Sequence, residues 1–179
     1  MTVHAFADES RRNQLYLVAV AVVDARKLRQ SRKLMRGMLL PGQREVHFKK
    51  EMPSRRRGVI AALCAADVEA RVYTAHCSGG EERARRRCVQ QLGHDLVKLG
   101  AGRLVLDSRE TRDEADRATL HRVLACYPPD QGFVFEHLDS CWDELLWIAD
   151  AVAWCYGAGG DWRRRIAPVV VEEVDLTGV

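Results

Sequence analysis

Three aspartates stand where an ordinary surface residue is not expected. Asp150 lies within residues 142–154, in the run Leu145-Leu146-Trp147-Ile148-Ala149-Asp150-Ala151-Val152-Ala153-Trp154. A helix that is apolar almost all round is a buried helix. An unpaired ionised carboxylate inside it is costly unless it gains a cation, a proton or strong hydrogen bonds. Leu146, Trp147, Ala153 and Trp154 occupy the neighbouring positions at helical spacing, so its own helix supplies no Lys or Arg. Asp8 closes the short apolar stretch of residues 3–7, and Asp107 closes that of residues 103–106. If those two strands are parallel neighbours, both carboxylates emerge at one edge of a sheet. Acidic oxygens gathered from three distant segments are the donor set that hard divalent cations favour. Asp143, two helical turns before Asp150 on the same face, is placed to edge that site.

The segment Glu45-Val46-His47 adds a second kind of group. In extended chain, residues i and i+2 share a side, which sets Glu45 as a fourth oxygen ligand and His47 as a proton carrier or phosphate contact. A surface strand in a basic loop is the competing reading. Alternatives stay open for the aspartates as well. Asp8 can bond the turn after its strand, and Asp150 can meet a buried arginine from elsewhere. Asp107 can cap a helix, because Asp107-x-x-Glu110 fits that signal alongside Thr111-x-x-Glu114. Glu9 faces away from Asp8 and ranks below it. His76-Cys77 and His137 read as structural. Phosphoaspartyl chemistry at Asp8 would want a second aspartate where Ser10 stands. The six cysteines (Cys64, Cys77, Cys88, Cys126, Cys141 and Cys155) form no C-x-x-C and no histidine pairing at zinc spacing. They read as reduced, mostly buried thiols.

The elements that must position these groups are legible from apolar patterning. A strand over residues 3–7 leads through Asp8-Glu9-Ser10 into a polar turn, Arg11-Arg12-Asn13-Gln14. The apolar run 15–23, rich in β-branched residues, pairs back on it as a hairpin. A basic helix capped by Asp24 is expected to reach about Leu39, stopped by Pro41-Gly42. A helix from Pro53 or Ser54, a strand over 68–75, a long helix over 81–99 closed by Gly100, and the strand ending at Asp107 follow. Thr111-x-x-Glu114 starts a helix running to about Cys126, broken by Pro128-Pro129. Residues 131–138 read as a strand, and Ser140 caps a last long helix over 142–156. The tail 166–174 is a final strand or an irregular extension. A hairpin followed by strands alternating with helices is an α/β order with a mixed sheet, antiparallel first and parallel later. Ligand sites in such sheets form outside the carboxyl ends of parallel strands.

Composition narrows the function classes. The chain has 179 residues, fitting a single domain over 1–179. Apolar residues at 47% and charged residues at 30% exclude a disordered or collagen-like chain. No apolar run approaches the ~18–20 residues of a membrane span, and residues 1–5 show no secretory pattern. The expectation is a cytoplasmic protein that binds no membrane. The net charge of +3 proves no polyanionic partner, but arginines cluster at 55–57, at 83 and 85–87, and at 163–165. Planar guanidinium groups suit phosphate, so nucleic acid is the expected partner, with solvated helix faces as the plainer explanation of any single cluster.

The order of motifs resembles the DUF3800 family. Ala7-Asp8-Glu9-Ser10 is similar to its strand leading into Asp-Glu-Ser-Gly, and Glu45-Val46-His47-Phe48 to its Glu-x-His element. Leu104-Val105-Leu106-Asp107 is similar to its central strand-end aspartate. Asp139-Ser140 and then Leu146-Trp147-Ile148-Ala149-Asp150-Ala151-Val152-Ala153 resemble its Asp-Ser … Leu-Gln-x-Ala-Asp-Leu-Ile-Ala signature. Arg11 replaces the family's usual Gly, and Trp147 its usual Gln. The resemblance implies a ribonuclease H-like mixed β-sheet flanked by helices. It also implies a phosphodiesterase or nuclease site using Mg²⁺ or Mn²⁺ at Asp8, Asp107 and Asp150, with Glu45 and His47 assisting. Arg11, Lys49, Lys50, Arg55 and Arg56 would then meet the nucleic-acid backbone. Two other readings belong beside this one. The first is a catalytically degenerate nucleic-acid- or protein-binding module on the same fold. The second is a PIN-like nuclease, disfavoured because that order places a helix after the first strand.

Overall fold

A computed structural model describes residues 2–178. Six strands form one mixed sheet in the order β5-β4-β1-β2-β3-β6. β1 (Val3–Arg12), β2 (Leu15–Asp24) and β3 (Glu69–His76) form an antiparallel meander. β4 (Ala101–Asp107) joins β1 in parallel, and β5 (Val134–Leu138) joins β4 in parallel. β6 (Val170–Asp175) runs parallel to β3 at the other edge. The apolar run of β2 sits inside the sheet and is covered on both faces, which explains why it lacks polar alternation.

Alternation along the strands divides the core in two. Phe6, Leu17, Ala19 and Val105 face α5 (Leu146–Ala158), together with α2 (Pro53–Ala65) and α6 (Gly160–Ile166). Ala5, Ala7, Tyr16, Val18 and Leu106 face α3 (Glu81–Leu99), onto which α4 (Asp113–Leu124) packs. Gly93 lets those two helices approach closely: a Cβ there would stand 3.1 Å from Val123 and 3.2 Å from Leu120. Among the described residues no helix is long and apolar enough to cross a membrane.

Several expected boundaries move. β1 continues to Arg12, which pairs with Leu15, so the turn is only Asn13-Gln14, with Asn13 at φ +53°. Asp8 therefore lies within its strand rather than in a loop. The expected helix after Asp24 shrinks to α1 (Leu28–Arg36), because Asp24 binds the Arg26 backbone and guanidinium instead. The capping box at Thr111 does not form. Asp113 opens α4 itself, accepting from the Ser108 hydroxyl at 2.7 Å and the Arg109 N–H at 2.8 Å. β5 starts only at Val134, after a 3-10 turn at Pro129–Gln131. α5 starts at Leu146 rather than Trp142, and Ser140 does not cap it. Helix α6 follows Gly159, where no helix was expected. All six thiols are free, but only Cys77, Cys88 and Cys155 are buried.

Candidate functional site

The parallel register of β1 and β4 sets Ala7 beside Leu106, so Asp8 and Asp107 occupy the next rung. Alternation turns both toward the α5 side, following Phe6 and Val105. β4 ends there while β1 runs four residues further, leaving that side of β1 open to a cavity of about 290 Å³. Asp150 enters it from α5. Glu45 and His47 enter from the loop before α2, because Val46 and Phe48 between and after them are buried in the core. The i, i+2 alternation thus holds although this segment is no strand and ends in a 3-10 turn, Phe48–Lys50.

Asp8 is buried, whereas Asp107 and Asp150 are partly exposed to the cavity. Burial first, then the charges of Glu9, Asp150 and Asp107, hold the Asp8 carboxyl well above the usual carboxylate range. Burial, followed by the charge of Glu9, pushes Asp107 up to about 7. Burial also raises Asp150, opposed by the Phe48 N–H, which donates to its Oδ2 at 2.8 Å. His47 Nδ1 stands 3.7 Å from the same oxygen and has no hydrogen-bond partner. Among the described residues, none of the three aspartates is ion-paired with Lys or Arg. Glu45 accepts the Ser140 hydroxyl, and Trp147 donates its indole N–H to the Ser140 carbonyl at 2.8 Å.

Asp143 does not edge this site. It is buried against Arg32, whose Nη2 donates to it at 2.7 Å, and it accepts the Leu145 N–H at 3.1 Å. Glu9 faces α3, as alternation requires, where Arg85 holds it at 2.8 Å; Arg109, from the loop after β4, holds it at 2.7 Å. Arg85 also forks onto Asp116 and donates to the Tyr16 hydroxyl, and His137 lies 3.3 Å from Asp116. A buried polar network therefore underlies the strand carrying Asp8. The His137 reading as structural agrees with this placement.

The basic candidates separate. Arg11 lines the cavity and pairs with Glu81 at 2.7 Å; Lys49 lines it too. Lys50 is exposed on the 3-10 turn. Arg55 turns inward, to Glu51 and to the Met38 carbonyl, and Arg56 to the Phe48 and Lys49 carbonyls. Arg12, Arg109 and Trp154 line the cavity but were not singled out from sequence. Only the two-residue turn keeps β1 extended to Arg12 and so sets it on the side of Asp8.

The donors fit a hard divalent cation in kind: carboxyl oxygens, desolvated, without a paired cation. Among the described residues, however, no group of three or more His, Cys, Asp or Glu side chains is gathered tightly enough to hold an ion as placed.

No protein-family model and no curated protein matches the chain. A chain of the solved PCNA:RNase HII complex from Archaeoglobus fulgidus is similar in structure, with a TM-score of 0.56 and 17% identity, over 87% of this chain and 73% of that one. The fold is ribonuclease H-like. In this ribonuclease H-like frame the hairpin strand β1 and its parallel neighbour β4 carry Asp8 and Asp107, and the covering helix carries Asp150.

Proposed function

We propose that this chain is a phosphodiester hydrolase acting on nucleic acid with Mg²⁺ or Mn²⁺, and that it belongs with the DUF3800 proteins it resembles. The observation that carries this reading is the entry of Asp8, Asp107 and Asp150 into one cavity with no Lys or Arg paired to them. The ribonuclease H-like fold supports the class of chemistry.

In this reading Asp8, Asp107 and Asp150 would hold the ions, Asp8 from β1, which lies between β4 and β2. Bound divalent ions supply Lewis acidity and make water nucleophilic near neutral pH. Asp8 and Asp107 present oxygens from neighbouring strand positions, and side-chain movement would draw them and Asp150 onto an ion. The Phe48 N–H orients the Asp150 carboxylate. His47, with Nδ1 unpartnered, accepts and passes on a proton as water adds to phosphorus and the sugar oxygen departs. Lys49, Arg11, Arg12 and Arg109 supply positive charge around the acidic floor, where a phosphate backbone would run.

The test is cleavage of labelled single- and double-stranded DNA and RNA with Mn²⁺, comparing wild type with Asp8→Asn and Asp107→Asn. Cleavage that both substitutions abolish supports the reading. Binding without cleavage by any of the three proteins would support the degenerate binding module, which the ungathered carboxylates favour.

A further inference from the structure

We infer that Arg56 is a positioning residue that fastens the 47–49 segment to α5, and not a contact to nucleic acid. Its Nε donates to the Phe48 carbonyl at 2.9 Å and its Nη2 to the Lys49 carbonyl at 2.7 Å. The guanidinium lies over the Trp154 ring, 4.1 Å from the centroid, with Phe48 and Trp162 around it at 6.0 Å and 5.8 Å. Trp154 packs on Phe48 with centroids 5.4 Å apart and on Trp162 at 5.6 Å. Arg56 is therefore held at both ends of one hydrogen-bond fork and against one ring.

Each anchor leads to the acidic cavity. Trp154 stands one helical turn after Asp150, and both line the cavity. Phe48, whose carbonyl Arg56 binds, is the residue whose N–H reaches Asp150. Lys49, whose carbonyl takes the other prong, also lines the cavity, and His47 precedes them. Arg56 itself lies outside the lining. One side chain thus sets the spacing between a loop that brings His47 and Lys49 and a helix that brings Asp150.

The chemistry selects arginine. A planar guanidinium offers two parallel donors and a flat cationic face together, whereas an ammonium offers a point charge. The Nε–Nη2 edge of the guanidinium is taken up by the two carbonyls and one of its faces by Trp154, so that edge is not open to a bidentate phosphate contact. Arg55, beside Arg56 in α2, binds Glu51 and the Met38 carbonyl, outside the 47–49 segment. The catalytic consequence of the clasp rests on the nuclease reading; the clasp itself does not.

The experiment uses the full chain as wild type, Arg56→Lys and Arg56→Ala, with the exposed Arg57→Ala as control. Three quantities are read: backbone amide exchange at Phe48, Mn²⁺ affinity, and the salt dependence of nucleic-acid binding. We expect faster Phe48 exchange in both Arg56 variants and none of that change in Arg57→Ala. Mn²⁺ affinity should fall about tenfold or more, as for other groups that orient metal ligands. The slope of log K against log salt should stay at the wild-type value. Arg56→Lys keeps charge and stem, so it reads the clasp even if Arg56→Ala fails to fold. Unchanged Phe48 exchange in Arg56→Lys overturns the inference, and so does a salt slope reduced by about one, the mark of a lost phosphate contact. If wild type binds no Mn²⁺, the nuclease reading falls while Phe48 exchange still decides the clasp.

Discussion

The backbone N–H of Phe48 donates to Oδ2 of Asp150 at 2.8 Å, joining a loop to a helix residue 102 positions away. The carboxylate consequently has two separable jobs: accepting that bond and carrying charge. Asp150→Asn keeps an acceptor oxygen and removes the charge, so it should fold near wild-type stability yet lose its response to Mn²⁺. Asp150→Ala should also leave a buried donor unpaired, costing about 1–3 kcal/mol. Urea unfolding of the two variants, with and without Mn²⁺, separates the jobs.

Asp107 carries a pH signature. Burial, then the charge of Glu9, pushes it up to about 7 in the folded chain, against a usual value of about 4 in an unfolded one. The folded state therefore binds this proton more tightly. Its contribution to stability is fully present below about pH 4 and is lost as pH rises through 7. In metal-free buffer, the wild type should lose melting temperature across that interval relative to Asp107→Asn. At pH 7.5 Asp107→Asn should melt higher, by roughly 10 °C. Parallel melting curves at pH 4.5 and 7.5 give the comparison.

Arg85 is the cation of the buried network beneath β1, serving Glu9 and Asp116 together. Arg85→Ala leaves both carboxylates buried without it, and we expect a loss of about 3–5 kcal/mol in denaturant unfolding. A loss below about 1 kcal/mol, as for a surface pair, would show that the network is solvated.

Nucleic-acid affinity should fall steeply with salt. Replacing Arg12, Lys49 or Arg109 by Ala should each reduce the slope by about one without preference for sequence. Fluorescence anisotropy at several salt concentrations measures this.

Asp8, Asp107 and Asp150 were legible because each breaks an apolar pattern that demands burial. The mixed character of the sheet was legible from the hairpin and the strand–helix alternation that follows it, but its strand order was not. What sequence hid was the partnering of charges. Helical spacing puts Asp143 and Asp150 on one face, yet α5 starts only at Leu146, and Asp143, lying before it, meets Arg32, brought from more than a hundred residues away. Arg55 and Arg56 look like phosphate contacts until the carbonyls of Met38, Phe48 and Lys49 come within reach. Arg12 and Arg109 carry no sequence signal because the length of β1 and the path after β4 depend on register, which periodicity alone does not set.

Calorimetric titration of Mn²⁺ into metal-free wild type and Asp8→Asn bears most directly on the acidic cavity. Saturable binding by wild type, with stabilisation of about 2.7 kcal/mol at a hundredfold excess over Kd, and its disappearance in Asp8→Asn is the result we expect. A wild type that takes up no Mn²⁺, or an Asp8→Asn that binds it equally well, would contradict a metal site built on Asp8, Asp107 and Asp150.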